Sequence, residues 1–225
     1  MTYRTFCSIV SEGVLDIAEG AIAPGLGKRQ GMTHYETIYK KYITHRFPHR
    51  GPNRSSGNSV QPEETVLDFL ESWIDDLNDS YSADRQSCSR FQRPFRGFYS
   101  PELLDASFYV IVDKLPLPEL PQLRDAGLGD FLDKQNQYEG ITYKDTYYLV
   151  PQVVDDFSIH FHELVHVIQW RELGAQAFIQ RYIEEIRKFG YGRQAPLERM
   201  AYGLQDQFDD DVEPFDVEQR VVATL

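Results

Sequence analysis

One short segment limits what this chain can fold into more than any other. Between residues 161 and 168 apolar side chains fall on nearly every face of a helix, which predicts a helix that is buried on most of its faces. Only His162, Glu163 and His166 interrupt the apolar run. Because unpaired buried polar groups are costly, a fold that buries this helix must also supply partners for these side chains.

The spacing of these residues, His-Glu-x-x-His, indicates a metal site. On a helix, residues four apart lie on one face, about 40° apart around the axis and one turn along it. The imidazoles of His162 and His166 can therefore bind one Zn²⁺. Glu163 lies about 100° from His162, where it can take a proton from a zinc-bound water. The alternative is an accidental motif made of ordinary core histidines.

The segment 162–166 resembles the active-site helix of zincin metallopeptidases, and residues 140–207 are similar to the compact gluzincin core of the single-domain minigluzincins. In gluzincins the third zinc ligand is a Glu on a following helix, and Glu198 occupies the matching place. The resemblance implies an α+β fold with a small mixed sheet, an active-site helix and C-terminal helices. It also implies zinc-dependent hydrolysis of peptide bonds. Tyr202 stands where thermolysin-like gluzincins keep an Asp.

Other acidic and imidazole side chains nearby are weaker ligand candidates. Glu172 points about 120° away from His166, and His160 points about 160° away from His162. In the predicted helix 175–189, Glu184 and Glu185 fall with basic residues on the side expected to face solvent. We therefore expect none of these four side chains to bind the metal.

The expected chemistry needs a base and a donor beside the zinc. An open fourth position would hold water, Glu163 would accept its proton, and Glu163 would then return that proton to the leaving amine. Tyr202 or Tyr191 could donate a hydrogen bond to the developing oxyanion. The alternative for each tyrosine is a core position, or a hydrogen bond that orients a metal ligand; Tyr202 could replace the missing Asp in this way.

Two strand patterns precede the motif. Residues 108–112 are β-branched and aromatic, and residues 140–150 read as a hairpin that turns near Lys144 and Asp145. By the resemblance, residues 147–150 would form the upper rim of the cleft and pair with an extended substrate.

The domain organisation follows from where the helical patterns lie. Helices are predicted at 10–19, 34–47, 62–78 and 120–132, and Pro196 is expected to begin the helix that carries Glu198. We predict a helical N-terminal extension at 1–90, which is a buttress or a pro-segment, and a zincin-like core at 91–225. Cys7 could hold the zinc of a latent enzyme as a thiolate, or be a buried small hydrophobe. The acidic stretch 206–216 is expected to be a solvated terminus.

Charge and composition restrict the partners. The formal net charge of −12 argues against nucleic acid and against an anionic membrane surface. The first residues do not look like a secretory signal, and no run approaches the roughly 20 apolar residues that span a bilayer. Two cysteines do not make a disulfide framework, so we expect a reducing, cytoplasmic location, with export by another route left open.

The leading hypothesis is a zinc metallopeptidase that acts on a peptide or protein substrate. A second hypothesis keeps the zinc but not the hydrolysis, and describes a catalytically silent binding or scaffold domain. A third is a latent, toxin-like peptidase with one protein target.

Overall fold

A computed structural model describes residues 66–225. Its helices and strands are, in chain order, α1 (Val66–Ser80), β1 (Gln86–Ser87), α2 (Pro101–Asp105), β2 (Phe108–Ile111), α3 (Pro121–Leu123), α4 (Gly129–Asp133), β3 (Gly140–Tyr143), β4 (Thr146–Leu149), α5 (Phe157–Leu173), α6 (Ala175–Phe189), α7 (Pro196–Asp209) and α8 (Val217–Thr224). The fold is therefore α+β, as predicted. The helices predicted at 10–19 and 34–47, the start of the helix at 62, and Cys7 lie outside the described residues.

The strands form a mixed sheet in the order β1-β2-β4-β3. Strand β2 pairs with β4 in parallel, and the other two pairings are antiparallel. Strands β3 and β4 form the predicted hairpin, and Lys144 in its turn adopts a left-handed φ of 59°.

The rim predicted at residues 147–150 is wrong. Strand β4 has a neighbour on both sides and its four residues are buried, so its backbone cannot pair with a substrate. The two edge strands of the described sheet are β1 and β3, and β3 is the one nearer to α5 in the sequence. The error arose because the parallel partner of β4, strand β2, is distant in sequence and leaves no local signal.

The sheet separates two layers of core side chains. Alternation along β4 sends Tyr148 to one face and Tyr147 to the other. On the first face α1 and α6 contribute Trp73 and Phe178, and on the second α5 contributes Phe161. Helix α5 is buried over most of its circumference, as the apolar run predicted.

Helix α1 belongs to this core. Its buried side chains pack in the same cluster as residues of the sheet and of α6; they are Phe69, Leu70, Trp73, Ile74 and Leu77. Strand β1 also pairs with β2. The division predicted between residues 90 and 91 therefore does not coincide with a structural boundary within residues 66–225.

Two other predictions about segments need correction. Residues 120–132 do not form one regular helix, because Gly127 adopts a φ of 89° inside a π-type turn between α3 and α4. The acidic stretch 206–216 is mostly exposed, as expected, but it is not a terminus, because it begins in α7 and is followed by another helix. After a short acidic stretch, Asp216 caps α8, and Val217 and Val221 of α8 are buried against the core.

The helices around the predicted site have the expected limits. Asp156 caps α5 by accepting a hydrogen bond from the backbone N–H of Ser158. Gly174, with a φ of 75°, both ends α5 and precedes α6, so a single residue joins the two helices. Pro196 is the first residue of α7, where its missing N–H costs nothing.

Among residues 66–225 no helix combines the length and the apolar character that crossing a bilayer requires.

Candidate metal centre

Three side chains from two helices meet at one point. Helix α5 supplies His162 and His166, and α7 supplies Glu198. The two Nε2 atoms lie 3.1 Å apart. The Nε2 of His162 is 3.5 Å from Glu198 Oε2, and that of His166 is 3.6 Å from Glu198 Oε1. All three side chains are buried, so the two histidines of the apolar helix have Glu198 of α7 as a polar neighbour.

These distances fit a tetrahedral zinc ion. Ligand atoms about 2.0–2.1 Å from a tetrahedral metal lie roughly 3.3–3.4 Å from one another. The two Nε2 atoms, 3.1 Å apart, and the pair His162 Nε2–Glu198 Oε2, 3.5 Å apart, are close to this spacing, whereas His166 lies 3.6 Å from the other oxygen, Oε1. Glu198 Oε2 is also buried with no hydrogen-bond partner. A buried acceptor without a partner is costly, and a cation between the three groups would satisfy it. Two imidazoles and a carboxylate are donors that zinc accepts.

The two histidines are held by glutamine side chains. The Nδ1 of His166 lies 2.8 Å from Gln169 Oε1, and the Nδ1 of His162 lies 3.1 Å from Gln205 Oε1. The amide of Gln169 donates to the carbonyl of Leu197, which fixes which end of that side chain faces His166. An oxygen acceptor beside each Nδ1 favours a proton on Nδ1, so that each imidazole would offer the Nε2 lone pair to a bound metal.

The third ligand is held by a tyrosine from α6. Tyr182 donates its hydroxyl hydrogen to Glu198 Oε1 at 2.8 Å. Burial alone would raise the pKa of Glu198, but the neighbouring imidazoles of His166 and His162 outweigh it and hold this pKa well below its usual range. Burial lowers the pKa of His166, whereas Glu198 raises it, and the result is a pKa of about 9. In the absence of metal, Glu198 is therefore an ionised carboxylate.

Glu163 lies beside the cluster and not within it. Its Oε2 accepts a hydrogen bond of 2.5 Å from the hydroxyl of Thr142 on β3. Strand β3 passes so close that a Cβ at Gly140 would lie 2.3 Å from Glu163 Oε1. Burial raises the pKa of Glu163, although His162 and His166 act in the opposite direction. This is the position expected for the base; its role remains a prediction.

Tyr202 lies against a ligand without orienting the carboxylate. Its ring centroid is 4.4 Å from that of His162, and its hydroxyl interacts with that of Tyr191. Burial, followed by the charge of Glu198, raises the pKa of Tyr202 to about 12, so at neutral pH it keeps its proton and can donate. The contact that orients Glu198 is made by Tyr182 instead, a residue that the sequence analysis did not single out.

Sequence signals could have found some of these partners but not all. Gln169 is three residues after His166, so the two share a face of α5. Gln205 is seven residues after Glu198 and shares a face of α7 with it, although its partner is His162. Tyr182 carries no such signal, because its place depends on how α6 packs against α7.

The other candidate ligands are used elsewhere. His160 lies between the hydroxyl of Tyr147 at 2.7 Å and the carbonyl of Val154 at 2.8 Å, as a satisfied core histidine. Glu172 pairs with Arg171.

Glu185 does not point to solvent, and that prediction is wrong. It is buried and accepts a hydrogen bond of 2.7 Å from the backbone N–H of Leu197 at the start of α7. The last turns of α6 pack against that helix end, which offers unpaired N–H groups to a carboxylate. Glu185 therefore holds α7 in place and does not bind the metal.

No family model, no curated protein and no solved structure matches this chain. Function must therefore be inferred from the residues of the site itself.

Proposed function

We propose that this protein is a zinc-dependent metallopeptidase with a zincin core of the gluzincin type. The observation that supports the proposal is the convergence of the ligand atoms of His162, His166 and Glu198 at zinc spacing, with the buried carboxylate of Glu163 beside them. Structural zinc sites have four protein ligands, whereas catalytic sites have three and keep one position open. Within residues 66–225 the cluster contains three.

His162, His166 and Glu198 would hold the ion, and when bound it would supply a Lewis acid that polarises a carbonyl group and makes water more acidic. Glu163 accepts the proton of the attacking water and returns it to the leaving amine. Thr142 fixes one carboxylate oxygen by a hydrogen bond.

The remaining roles follow from neighbouring side chains. Tyr202 is the candidate donor to the developing oxyanion, because it lies beside His162 and keeps its proton at neutral pH. Strand β3 is the edge strand next to Glu163 among the described residues, so we assign the pairing with an extended substrate to β3.

Two variants and the wild-type chain test this function. Glu163→Gln should bind one zinc per chain and lose hydrolysis of a peptide library, because only the base is removed. Glu198→Ala should lose zinc, because one of the three protein ligands is removed. Metal content and cleavage products are measured on the same samples. Cleavage that is unchanged in Glu163→Gln would contradict the proposal.

One observation favours a second candidate, a zinc-stabilised domain without turnover. The two ligand histidines are each 5% exposed and Glu198 is 1% exposed, so little of the centre is open to a substrate. This candidate predicts zinc-dependent melting and no cleavage of any peptide. A latent peptidase with one protein target predicts cleavage only after trimming or with that target.

A further inference from the structure

Arg193 brings a positive charge to the edge of the metal centre. It belongs to the short turn at residues 190–195 that joins α6 to α7, in which Gly190 and Gly192 adopt positive φ values of 77° and 114°. These conformations favour glycine and let the chain reverse within a short segment. The turn places the guanidinium carbon of Arg193 4.5 Å from the ring centroid of Tyr202 on α7.

A carboxylate on α7 fixes the position of this guanidinium. Arg193 Nη1 and Nη2 donate to the two oxygens of Asp206 at 2.5 Å and 2.8 Å, and such paired bonds set the plane of the group as well as its place. Asp206 is four residues after Tyr202, so both lie on one face of the helix. The side chains of Arg193 and Asp206 are 52% and 50% exposed, and ion pairs as exposed as this contribute little to stability. What the pair does determine is where the guanidinium lies against Tyr202.

Tyr202 is held by two contacts from outside its own helix. Its ring centroid lies 4.4 Å from that of His162 on α5, and the charge of Arg193 is attracted to the face of the ring. Rotation about the Cα–Cβ bond of Tyr202 would disturb both contacts and move the hydroxyl. The position of that hydroxyl therefore depends on the turn at residues 190–195 as well as on α7.

We propose that Arg193, held by Asp206, is a positioning residue that fixes the ring of Tyr202 so that its hydroxyl can donate to the developing oxyanion. The inference rests on the proposed function, in which Tyr202 is the candidate donor. It adds a residue that acts on the reaction through another side chain.

The first test is the kinetics of Arg193→Gln, measured on the zinc-loaded full chain with a peptide substrate. We expect kcat to fall at least about 10-fold, because displacement of a catalytic group by 1 Å can cost about 100-fold. KM and zinc content should stay near those of the wild type, because the donor is used only in the transition state. An unchanged kcat would overturn the inference. A raised KM with unchanged kcat would also overturn it, because Arg193 would then bind the substrate itself.

A double-mutant cycle separates positioning from a general structural effect. Tyr202→Phe keeps the ring and removes only the hydroxyl, which should lower kcat about 100-fold. In that background Arg193→Gln should cause little further loss, because no hydroxyl remains to be positioned. A structural role would reduce kcat by the same factor in both backgrounds, and that result would contradict the inference.

Two further variants test the ion pair. Asp206→Ala should lower kcat as Arg193→Gln does, and the combination should be little worse than either change alone, because the two side chains act as one unit. Arg124→Gln is the matched control, since Arg124 forms a similarly exposed pair with Asp133 at 2.7 Å beside α4, and it should keep the kcat of the wild type. A wild-type kcat in Asp206→Ala, or an equal loss in the control, would contradict the assignment.

Failure of the positioning role and failure of the function give different results. If Glu163→Gln loses cleavage while Arg193→Gln cleaves like the wild type, the positioning role is overturned and the peptidase is retained. If Glu163→Gln cleaves like the wild type, or the wild type cleaves no peptide, both are overturned.

Discussion

Glu198 is the candidate ligand on which a metal centre would depend most, because it is the one that α5 does not supply. One of its oxygens receives the hydroxyl hydrogen of Tyr182, and the other has no hydrogen-bond partner. The tyrosine fixes Oε1, which lies 3.6 Å from His166 Nε2, while Oε2 lies 3.5 Å from His162 Nε2. Partners of this kind commonly contribute 10–100-fold to metal affinity, as a rough range.

Replacing Tyr182 by Phe should therefore weaken zinc binding about 10-fold or more. The ring remains in the core and only the hydrogen bond to Glu198 is lost. Affinity is measured by competition with a chromophoric chelator. Tyr138→Phe is the control, because it removes a nearby hydroxyl that donates to the carbonyl of Phe131 and not to a ligand. Equal zinc affinity of the wild type and Tyr182→Phe would show that Glu198 needs no such support.

At the scale of elements, the close approach of β3 to α5 positions Glu163, the candidate base. Thr142 and Gly140 are two residues apart on one strand; the first bonds to Glu163 and the second leaves room for it. A strand with a side chain at residue 140 could not lie so near this carboxylate. Glycine is needed at residue 140 for space and not for its backbone conformation, since the φ of Gly140 is not positive.

Gly140→Ala should lower activity at least about 10-fold while zinc stays bound, and should destabilise the fold by about 1–3 kcal/mol through overpacking. The new methyl group would meet both Glu163 Oε1 and Leu149 Cδ2. Peptide turnover, metal content and urea denaturation measure the three effects.

Gly203→Ala is the matched control for Gly140→Ala. Gly203 lies inside α7 with nothing within 4 Å of an added Cβ. We expect a stability that is unchanged or higher by about 0.5–1 kcal/mol, because alanine favours the helix. If both variants behaved alike, the contact between β3 and Glu163 would have no special role.

Local patterns were sufficient for the elements that carry the site. The apolar run lies within α5, the helix predicted at 175–189 is α6, and α7 begins at Pro196 as predicted. The pairing of β2 with β4 and the burial of Glu185 were missed. Both depend on contacts between elements distant in the chain, which no local periodicity records.

At the scale of the whole molecule, the metal would link two helices that otherwise meet through side-chain packing. Helices α5 and α7 share the cluster, so a bound ion opposes their separation on unfolding. An ion that binds only the folded chain stabilises it according to its concentration relative to Kd.

Removing zinc with EDTA should lower Tm by roughly 5–10 °C when free zinc had stood at about 100 times Kd, and adding zinc should restore it. Calorimetry or far-UV circular dichroism measures the shift. Glu163→Gln should show the same shift, because it keeps the ligands, whereas Glu198→Ala should show little. A Tm that does not respond to zinc would contradict a site that is formed in the folded state.

The metal centre was predictable to different depths. His162, His166 and Glu163 follow from helical spacing, and the family resemblance indicated Glu198, which the fold brings within 4.8 Å of the histidine ligand atoms. The apolar cavity that adjoins Glu163, His166 and Glu198 was not predictable. It requires α1, α5 and α6 to enclose one volume, and their separate patterns show only which face of each is buried.

The junction at Gly174 makes chain length as important as residue identity. One inserted residue between α5 and α6 would turn α6 by about 100° and advance it by about 1.5 Å. Tyr182 would then rotate away from Glu198, and Ile183 would leave the cavity, although every side chain of the centre was still present. At this junction the number of residues therefore matters, because an insertion changes the angular position of α6 relative to α5.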